Sequence, residues 1–216
     1  MHVIINAAMT LDGKIATVIG DSKMSSMQDL IRVHNLRASV DAIIVGISTV
    51  LADNPRLTAR FVKVKQKKHP SRIIVDSTAR IPLDSRILRS ASRIETIVVV
   101  TKRADPDKIL KIKKSGASVL IAGLRRVDLK ETFVFLEKAG YKKILVEGGG
   151  SLNWSLLRIG VIDELVITIS PRIVGGVKAT TLVEGKGFER ISEGIKLELV
   201  KAAKQENGEV VLSYKL

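Results

Sequence analysis

The sequence predicts an α/β protein with a mostly parallel central sheet, helices on both faces and an antiparallel hairpin at the carboxyl end. Three observations carry that expectation. Short apolar runs rich in β-branched residues recur along the chain, at Val3–Ile5, Ala42–Val45, Ile73–Val75, Ile97–Val100, Val119–Ile121, Ile144–Val146 and Leu165–Ile169. Runs with no polar position suit strands buried on both faces, the usual state of a parallel sheet. Stretches with helix start and stop signals lie between them. The last stretch alternates apolar with polar residues across Asn207-Gly208, the strongest short hairpin signal.

Taken in order, Val3–Ile5 opens the sheet. Ser25-Ser26-Met27-Gln28 has the form of a capping box, and Met27, Leu30, Ile31, His34 and Ala38 then share one helical face. The second strand, Ala42–Val45, follows. The densest basic stretch comes next, with Arg60, Lys63, Lys65, Lys67, Lys68 and Arg72; Val62 and Val64 alternate with lysines there, as in an exposed edge strand, and the stretch reads as a solvated face. Beyond the strands at Ile73 and Ile97, Asp105-Pro106 starts a helix with proline in its first turn and Ser115-Gly116 ends it. Val127 to Gly140 and Ser151 to Ile159 are two more helices. Lys196–Lys201 and Glu209–Lys215 form the arms of the hairpin. No Pro, Gly or Ser linker and no internal repeat divides the chain, so one domain over residues 1–216 is expected.

Composition removes several chemistries. The 216 residues contain no cysteine, which excludes disulfides, thiolate zinc sites, iron–sulfur clusters and cysteine nucleophiles. The three histidines, His2, His34 and His69, form no helical ligand pair, so no metal site is expected and His34 reads as a partly buried helix residue. Thirty-six basic against 22 acidic residues leave a net charge of +14, which makes nucleic acid a partner to weigh. Aromatic residues are only 3 %, however, too few for a base-stacking surface, and the charge is spread along the chain. The amino end lacks the basic leader and apolar run of a signal peptide, and no eighteen apolar residues follow one another, so a cytoplasmic protein without a membrane span is expected.

Four segments are placed for chemistry. Ile144-Leu145-Val146-Glu147 runs into Gly148, Gly149 and Gly150 and then Ser151 and Leu152; glycines there let backbone N–H groups at a helix start approach an anion such as a pyrophosphate, or make a tight turn. The spacing matches neither GxGxxG nor GxxxxGK[ST]. Gly46, Thr49 and Asp53 follow the second strand, at the carboxyl edge where ligands of parallel sheets bind, although Ser48 or Thr49 could cap a helix and Asp53-Asn54-Pro55 could turn the chain. After the third strand, Ser77, Thr78, Ala79 and Arg80 offer hydroxyls and one guanidinium to a phosphate, including a cofactor 2′-phosphate, or form a polar turn behind Asp76. Leu11-Asp12-Gly13-Lys14, read by itself, is a turn with a solvated lysine.

Together these segments resemble the riboflavin-pathway reductases, the stand-alone archaeal and fungal enzymes and the carboxyl-terminal half of the bacterial RibD proteins. The resemblance rests on MTLDGKIA (Met9–Ala16), LRASVDAIIVGISTVLADNPRLT (Leu36–Thr58), VDSTARIP (Val75–Pro82), LVEGGGSLN (Leu145–Asn153) and DELVITISPRIVGG (Asp163–Gly176), in that order over nearly the whole chain. It implies a dihydrofolate-reductase-like fold, NADPH as hydride donor with NADH as a second possibility, a homodimer, and reduction of a ribosylamino pyrimidinone 5′-phosphate to its ribityl form. By the same resemblance the cofactor lies against Gly46, Thr49, Asp53, Ser77, Arg80 and the Gly148–Leu152 turn. The substrate falls to Ser22, Arg37, Leu57, Arg60 and Glu147, with Lys14 nearby; Arg37 and Arg60 suit its phosphate, and Lys14 and Glu147 are the candidates for polarising the sugar. The bacterial enzymes carry an aromatic residue where this chain has Met24, and a zinc deaminase that a chain without cysteine does not build. The rivals are another pterin or folate reductase of the same fold, or a basic nucleic-acid-binding protein.

Overall fold

The protein is described here by a computed structural model covering residues 1–61 and 69–216. In chain order the elements are β1 (His2–Thr10), α1 (Met27–Ala38), β2 (Ala42–Gly46), α2 (Ile47–Asp53), β3 (Ser71–Val75), β4 (Thr96–Val100), α3 (Pro106–Lys114), β5 (Ser118–Ile121), α4 (Leu129–Lys138), β6 (Lys143–Val146), α5 (Gly150–Arg158), β7 (Glu164–Ser170), β8 (Glu198–Lys204) and β9 (Val210–Lys215). The edge strand expected around Val62, Lys63, Val64 and Lys65, with Lys67 and Lys68, lies outside the described residues. Contacts divide the chain into two compact units, residues 34–145 with Met1, and residues 2–33 with 146–216.

The first unit has its strands in the order β5-β4-β3-β2-β6, with β2 parallel to β3, β3 to β4 and β4 to β5. Ile43, Ile44, Ile73, Ile74, Val98, Val99, Ile144 and Leu145 are all buried, as continuous apolar runs require. The run at β5 is the exception, because a strand at the end of the series leaves Ser118 and Ile121 exposed. Asp105 accepts from the Asp107 N–H at 2.9 Å and Asp128 from the Glu131 N–H at 3.0 Å, so both helices start at a side-chain cap. Helix α4 therefore begins two residues after Val127 and stops at Lys138.

Arg72 departs from the solvated face expected for its basic stretch. Its side chain is fully buried at the start of β3, where it donates to Thr96 Oγ1, Ser90 Oγ and the carbonyls of Ile87 and Ile94. Burial pushes its pKa down to about 10. Neutral acceptors saturate the guanidinium, which makes it a structural strut rather than a surface charge.

In the second unit β1 runs parallel to β7, β7 antiparallel to β9 and β9 antiparallel to β8. β1 is far longer than its apolar start at Val3–Ile5, because Asn6 and Thr168, on β1 and β7, are satisfied from α1. Arg32 donates to Asn6 Oδ1 at 2.9 Å and to Thr168 Oγ1 at 3.1 Å, and both Arg32 and Thr168 donate to buried Asp29. That polar cluster turns α1 over. Of the expected inward face, His34 is buried, while Met27, Leu30, Ile31 and Ala38 are exposed and Asp29 is buried in their place. The cap is also displaced by one residue: Ser26 Oγ accepts the Asp29 N–H at 3.1 Å and donates to Glu209, whose carboxylate also takes the Ser26 N–H at 3.0 Å. Glu209 thus does from the hairpin what a capping-box glutamate does from within its own helix. The hairpin itself closes through Asn207 Oδ1, which accepts the Glu209 N–H, and Gly208 at φ +84°, with its first arm shifted to Glu198–Lys204.

Candidate functional site

In the first unit the chain after β2 goes directly into a helix, the alternative that Ser48 or Thr49 offered there, but with a different cap. Gly46 is its N-cap and makes no side-chain cap bond, so Ser48 and Thr49 lie inside the first turn rather than capping it. Thr49 is half-buried, Asp53 is exposed at the last helical residue, and Asn54 closes the helix at φ 40°. Leu57, assigned to substrate, is buried in the protein at φ 50°. Its side chain packs inward, which leaves its backbone as the part able to meet a ligand.

Arg37 donates to the Thr58 carbonyl at 3.3 Å. The Arg60 backbone N–H donates to His34 Nδ1 at 2.9 Å, and the His34 ring meets Phe61 edge to face, so His34 holds the segment that carries Arg60. Burial, and then the charges of Arg37, Arg56 and Arg86, lower the Arg60 pKa from its ordinary value. Like charges gathered in this way repel one another unless an anion joins them. Arg56 lies within the quoted DNPRLT stretch without having been singled out, and Arg86 carries no local signal; the Arg86 N–H is fixed by Asn54 Oδ1 at 2.8 Å.

The turn after β3 is organised by Asp76. Its carboxylate is fully buried, with Oδ2 accepting the Ile81 N–H at 2.8 Å and Oδ1 facing Arg80 Nε at 3.7 Å. Ala79 adopts φ 57° and its methyl is buried, so this member of the expected cofactor turn offers a ligand backbone only. Thr78 and Arg80 are exposed and Ser77 is half-buried. The Thr101 N–H and hydroxyl both donate to the Ser77 carbonyl, at 3.1 and 2.7 Å, and the Val127 N–H approaches Ser77 Oγ at 3.4 Å.

In the second unit the Lys14 segment is no free turn. The Thr10 N–H donates to the Lys14 carbonyl at 2.9 Å, the Ile15 N–H to the Thr180 carbonyl at 2.8 Å and the Leu182 N–H to the Gly13 carbonyl at 3.2 Å, with Lys14 paired to Thr181. Lys14 is half-buried, not solvated. Asp12 accepts from the Thr10 hydroxyl at 2.6 Å and from the N–H groups of Gly175 and Val174 at 2.8 and 3.3 Å. The Thr10 hydroxyl bond is the chief cause holding its pKa below the ordinary value.

The three glycines after β6 have different reasons. Gly148 has φ +82°, and the Gly148–Gly149 peptide is cis. A Cβ on Gly150 would stand 2.5 Å from the Thr181 carbonyl oxygen and 2.7 Å from Glu184 Cγ, so Gly150 is small because another segment packs on it, and its Cβ side is closed to an anion. That leaves Gly149, the N-cap of α5 without a side-chain cap bond, as the glycine that the anion reading needs. Ser151 Oγ donates to Glu184 at 3.3 Å, Leu152 is buried, and Glu147 and Ser22 are half-buried. Thr181 and Glu184 were not singled out from sequence, since nothing local marks a residue that contacts a turn thirty positions earlier.

The comparisons with known proteins agree on one family. The RibD C-terminal domain matches residues 1–211, and the chain belongs to that family. It is 46% identical over 201 residues to the 2,5-diamino-6-ribosylamino-4(3H)-pyrimidinone 5′-phosphate reductase of Methanothermobacter thermautotrophicus, covering 93% of this chain and 92% of that one. A solved structure of Acinetobacter baumannii RibD superposes with a TM-score of 0.84 at 25% identity, over 99% of this chain and 57% of that one. Dihydrofolate reductase from Enterococcus faecalis superposes at 0.54 and 14% identity, over 99% of this chain and 95% of that one, which places the fold among dihydrofolate-reductase-like folds.

Proposed function

We propose that this chain, acting as one reductase domain over residues 1–216, reduces the ribosylamino group of 2,5-diamino-6-(ribosylamino)-4(3H)-pyrimidinone 5′-phosphate to the ribitylamino form in riboflavin biosynthesis. The observation that carries this is 46% identity to a reductase of that name along nearly the full length of both chains. NADPH is the donor in this proposal, and the enzyme works in the cytoplasm. When bound, NADPH supplies the hydride that C1′ of the opened ribose accepts, while a proton goes to the sugar.

The residues fit such a cofactor. Helices α3 and α4 begin at aspartates that each occupy one N–H of the first turn, whereas α5 begins at Gly149, as α2 does at Gly46, with no side-chain acceptor; amides at the start of α5 are therefore open to a pyrophosphate. Gly148, Ser151 and Leu152 complete that turn. Thr78, Arg80 and Ser77, with the Ala79 backbone, hold the 2′-phosphate; Gly46, Thr49 and Asp53 complete the cofactor site. Arg37 and Arg60, with Arg56 and Arg86 adding charge, bind the substrate 5′-phosphate. Ser22 and the Leu57 backbone orient the substrate, and Lys14 and Glu147 polarise its sugar. Grip on the remote phosphate positions C1′, so its loss lowers turnover as well as affinity.

NADPH oxidation measured with the diamino and the deaminated pyrimidinone offered separately tests the reaction. Activity with neither would end the proposal. Removing the substrate phosphate is expected to cripple the wild type and to change an Arg37→Ala, Arg60→Ala variant little further, whereas additive losses would release these arginines from that role.

The chain is also proposed to form a homodimer, with no specific nucleic acid and no membrane partner. Exposed Leu199 and Val200 on β8 support a self-association surface. Sedimentation at micromolar concentration checks it, and a monomer would count against it.

A further inference from the structure

Lys14, the residue given to the sugar, sits on backbone that a second segment holds on either side of it. The Leu182 N–H donates to the Gly13 carbonyl at 3.2 Å, the Ile15 N–H donates to the Thr180 carbonyl at 2.8 Å, and Thr181 pairs with Lys14 between them. Residues 180–185 belong to no helix or strand. Their place, and with it that of Lys14, depends on what fixes them from outside.

Helix α5 does so. Asn153 Nδ2 donates to the Leu182 carbonyl at 2.8 Å, the Glu184 N–H donates to the Gly150 carbonyl at 3.1 Å, and Ser151 Oγ donates to Glu184 at 3.3 Å. Gly185 lies against the Trp154 ring, where a Cβ would find no room. Of the two α5 side chains in these bonds, Ser151 is exposed and Asn153 is completely buried. Leu182 is held by Asn153 through its carbonyl and holds Gly13 through its N–H, so two hydrogen bonds join α5 to the Lys14 turn.

Stability does not account for this asparagine. Its Oδ1 is buried and has no hydrogen-bond partner among the described residues, a deficit that an apolar side chain of similar size would not carry. What the amide provides, and leucine would not, is a fixed place for the Leu182 carbonyl.

We infer that Asn153 is a positioning residue for the reduction: it fixes residues 180–185 on α5 and thereby sets Lys14 against the sugar. The inference rests on the reading of Lys14 given above. The amides that meet a pyrophosphate belong to the backbone of α5 itself, so Asn153 governs turnover rather than cofactor affinity.

The test measures NADPH oxidation with the diamino pyrimidinone 5′-phosphate by wild type, Asn153→Leu, Lys14→Ala and the double variant. Asn153→Leu is expected to lower kcat about tenfold, to leave KM for NADPH within about twofold and to keep the melting temperature. In the Lys14→Ala background it is expected to change kcat by less than about twofold. Asn153→Ala is expected to show the same non-additivity, which keeps the question decidable should leucine overpack. Trp154, the only tryptophan of the sequence, reports the segment directly, and acrylamide is expected to quench it more readily in Asn153→Leu than in wild type. Unchanged kcat, equal losses in both backgrounds or unchanged quenching would overturn the positioning role while wild-type turnover upholds the proposed reaction. Full activity of Lys14→Ala would remove Lys14 from the sugar and the role of Asn153 with it. A wild type inactive on the pyrimidinone would overturn the reaction and the positioning role together.

Discussion

The turn after β3 and the turn after β6 both follow buried parallel strands and both look, as sequence, like places for a phosphate, yet they are built on opposite principles. The first is shaped from inside by a charge: buried Asp76 fixes the Ile81 N–H and leaves the surface to Thr78 and Arg80. The second is shaped by the absence of side chains, with Gly150 pressed against the Thr181 carbonyl and Glu184. A turn made by a buried acid can present cations outward. A turn made of glycines can present only backbone, and where another segment lies on it even that is partly spent on packing.

The largest expected effect breaks the second turn. Gly150→Val places carbon 2.5 Å from the Thr181 oxygen, and is expected to cost about 3 kcal/mol of stability by overpacking. Chemical denaturation measures it, and an unchanged midpoint would mean that the 180–184 segment gives way freely and that Gly150 is available to a ligand after all. Arg80→Ala, at the first turn, should leave stability nearly unchanged and cost NADPH binding about 1.5 kcal/mol, with little lost for NADH. Equal losses for both cofactors would remove Arg80 from the 2′-phosphate, and the contrast between the turns would narrow to their folding.

The smallest effect sharpens the comparison through pH, at a turn where a half-buried acid does what Asp76 does in the interior. The Asp12 carboxylate accepts from the Thr10 hydroxyl and from the backbone N–H groups of Val174 and Gly175, and these bonds, the Thr10 one foremost, hold its pKa below the ordinary carboxylate range. A depressed folded pKa means that the ionised group stabilises the fold above the unfolded value, and that this contribution is lost as pH falls through the folded one. The gap in stability between wild type and Asp12→Asn should therefore be constant near neutrality and shrink below about pH 4, where an unfolded aspartate takes up its proton. Denaturation midpoints of the two proteins across that range measure the gap. One that persists at low pH would mean that Asp12 acts there by shape alone.

The strands were legible because burial on both faces leaves no polar position to interrupt an apolar run, and Asp105-Pro106 announced a helix because a cap is a local event. Helix α2 was only one of two alternatives, because Gly46 starts it without a side-chain cap. The inward face of α1 differs from the expected one for a non-local reason: Asn6 and Thr168 sit under it and draw in Asp29 and Arg32, leaving Met27, Leu30 and Ile31 outside. Arg72 is likewise no surface cation, because a guanidinium satisfied by carbonyls from other segments looks in sequence like any other arginine.

In the candidate site, Arg37, Arg60, Ser77 and Arg80 could be named from their motifs, since each lies beside a strand end or within a stretch shared with the family. Arg56 and Arg86 beside Arg60, and Thr181 and Glu184 over Gly150, could not. By itself the sequence determined the alternation of strands and helices, the closing hairpin and the residue types at the strand ends, all of which depend on neighbours a few positions apart. Only the tertiary structure decided which glycine is closed by packing and which arginine is buried, because each of those depends on groups that are distant in the chain and adjacent in space.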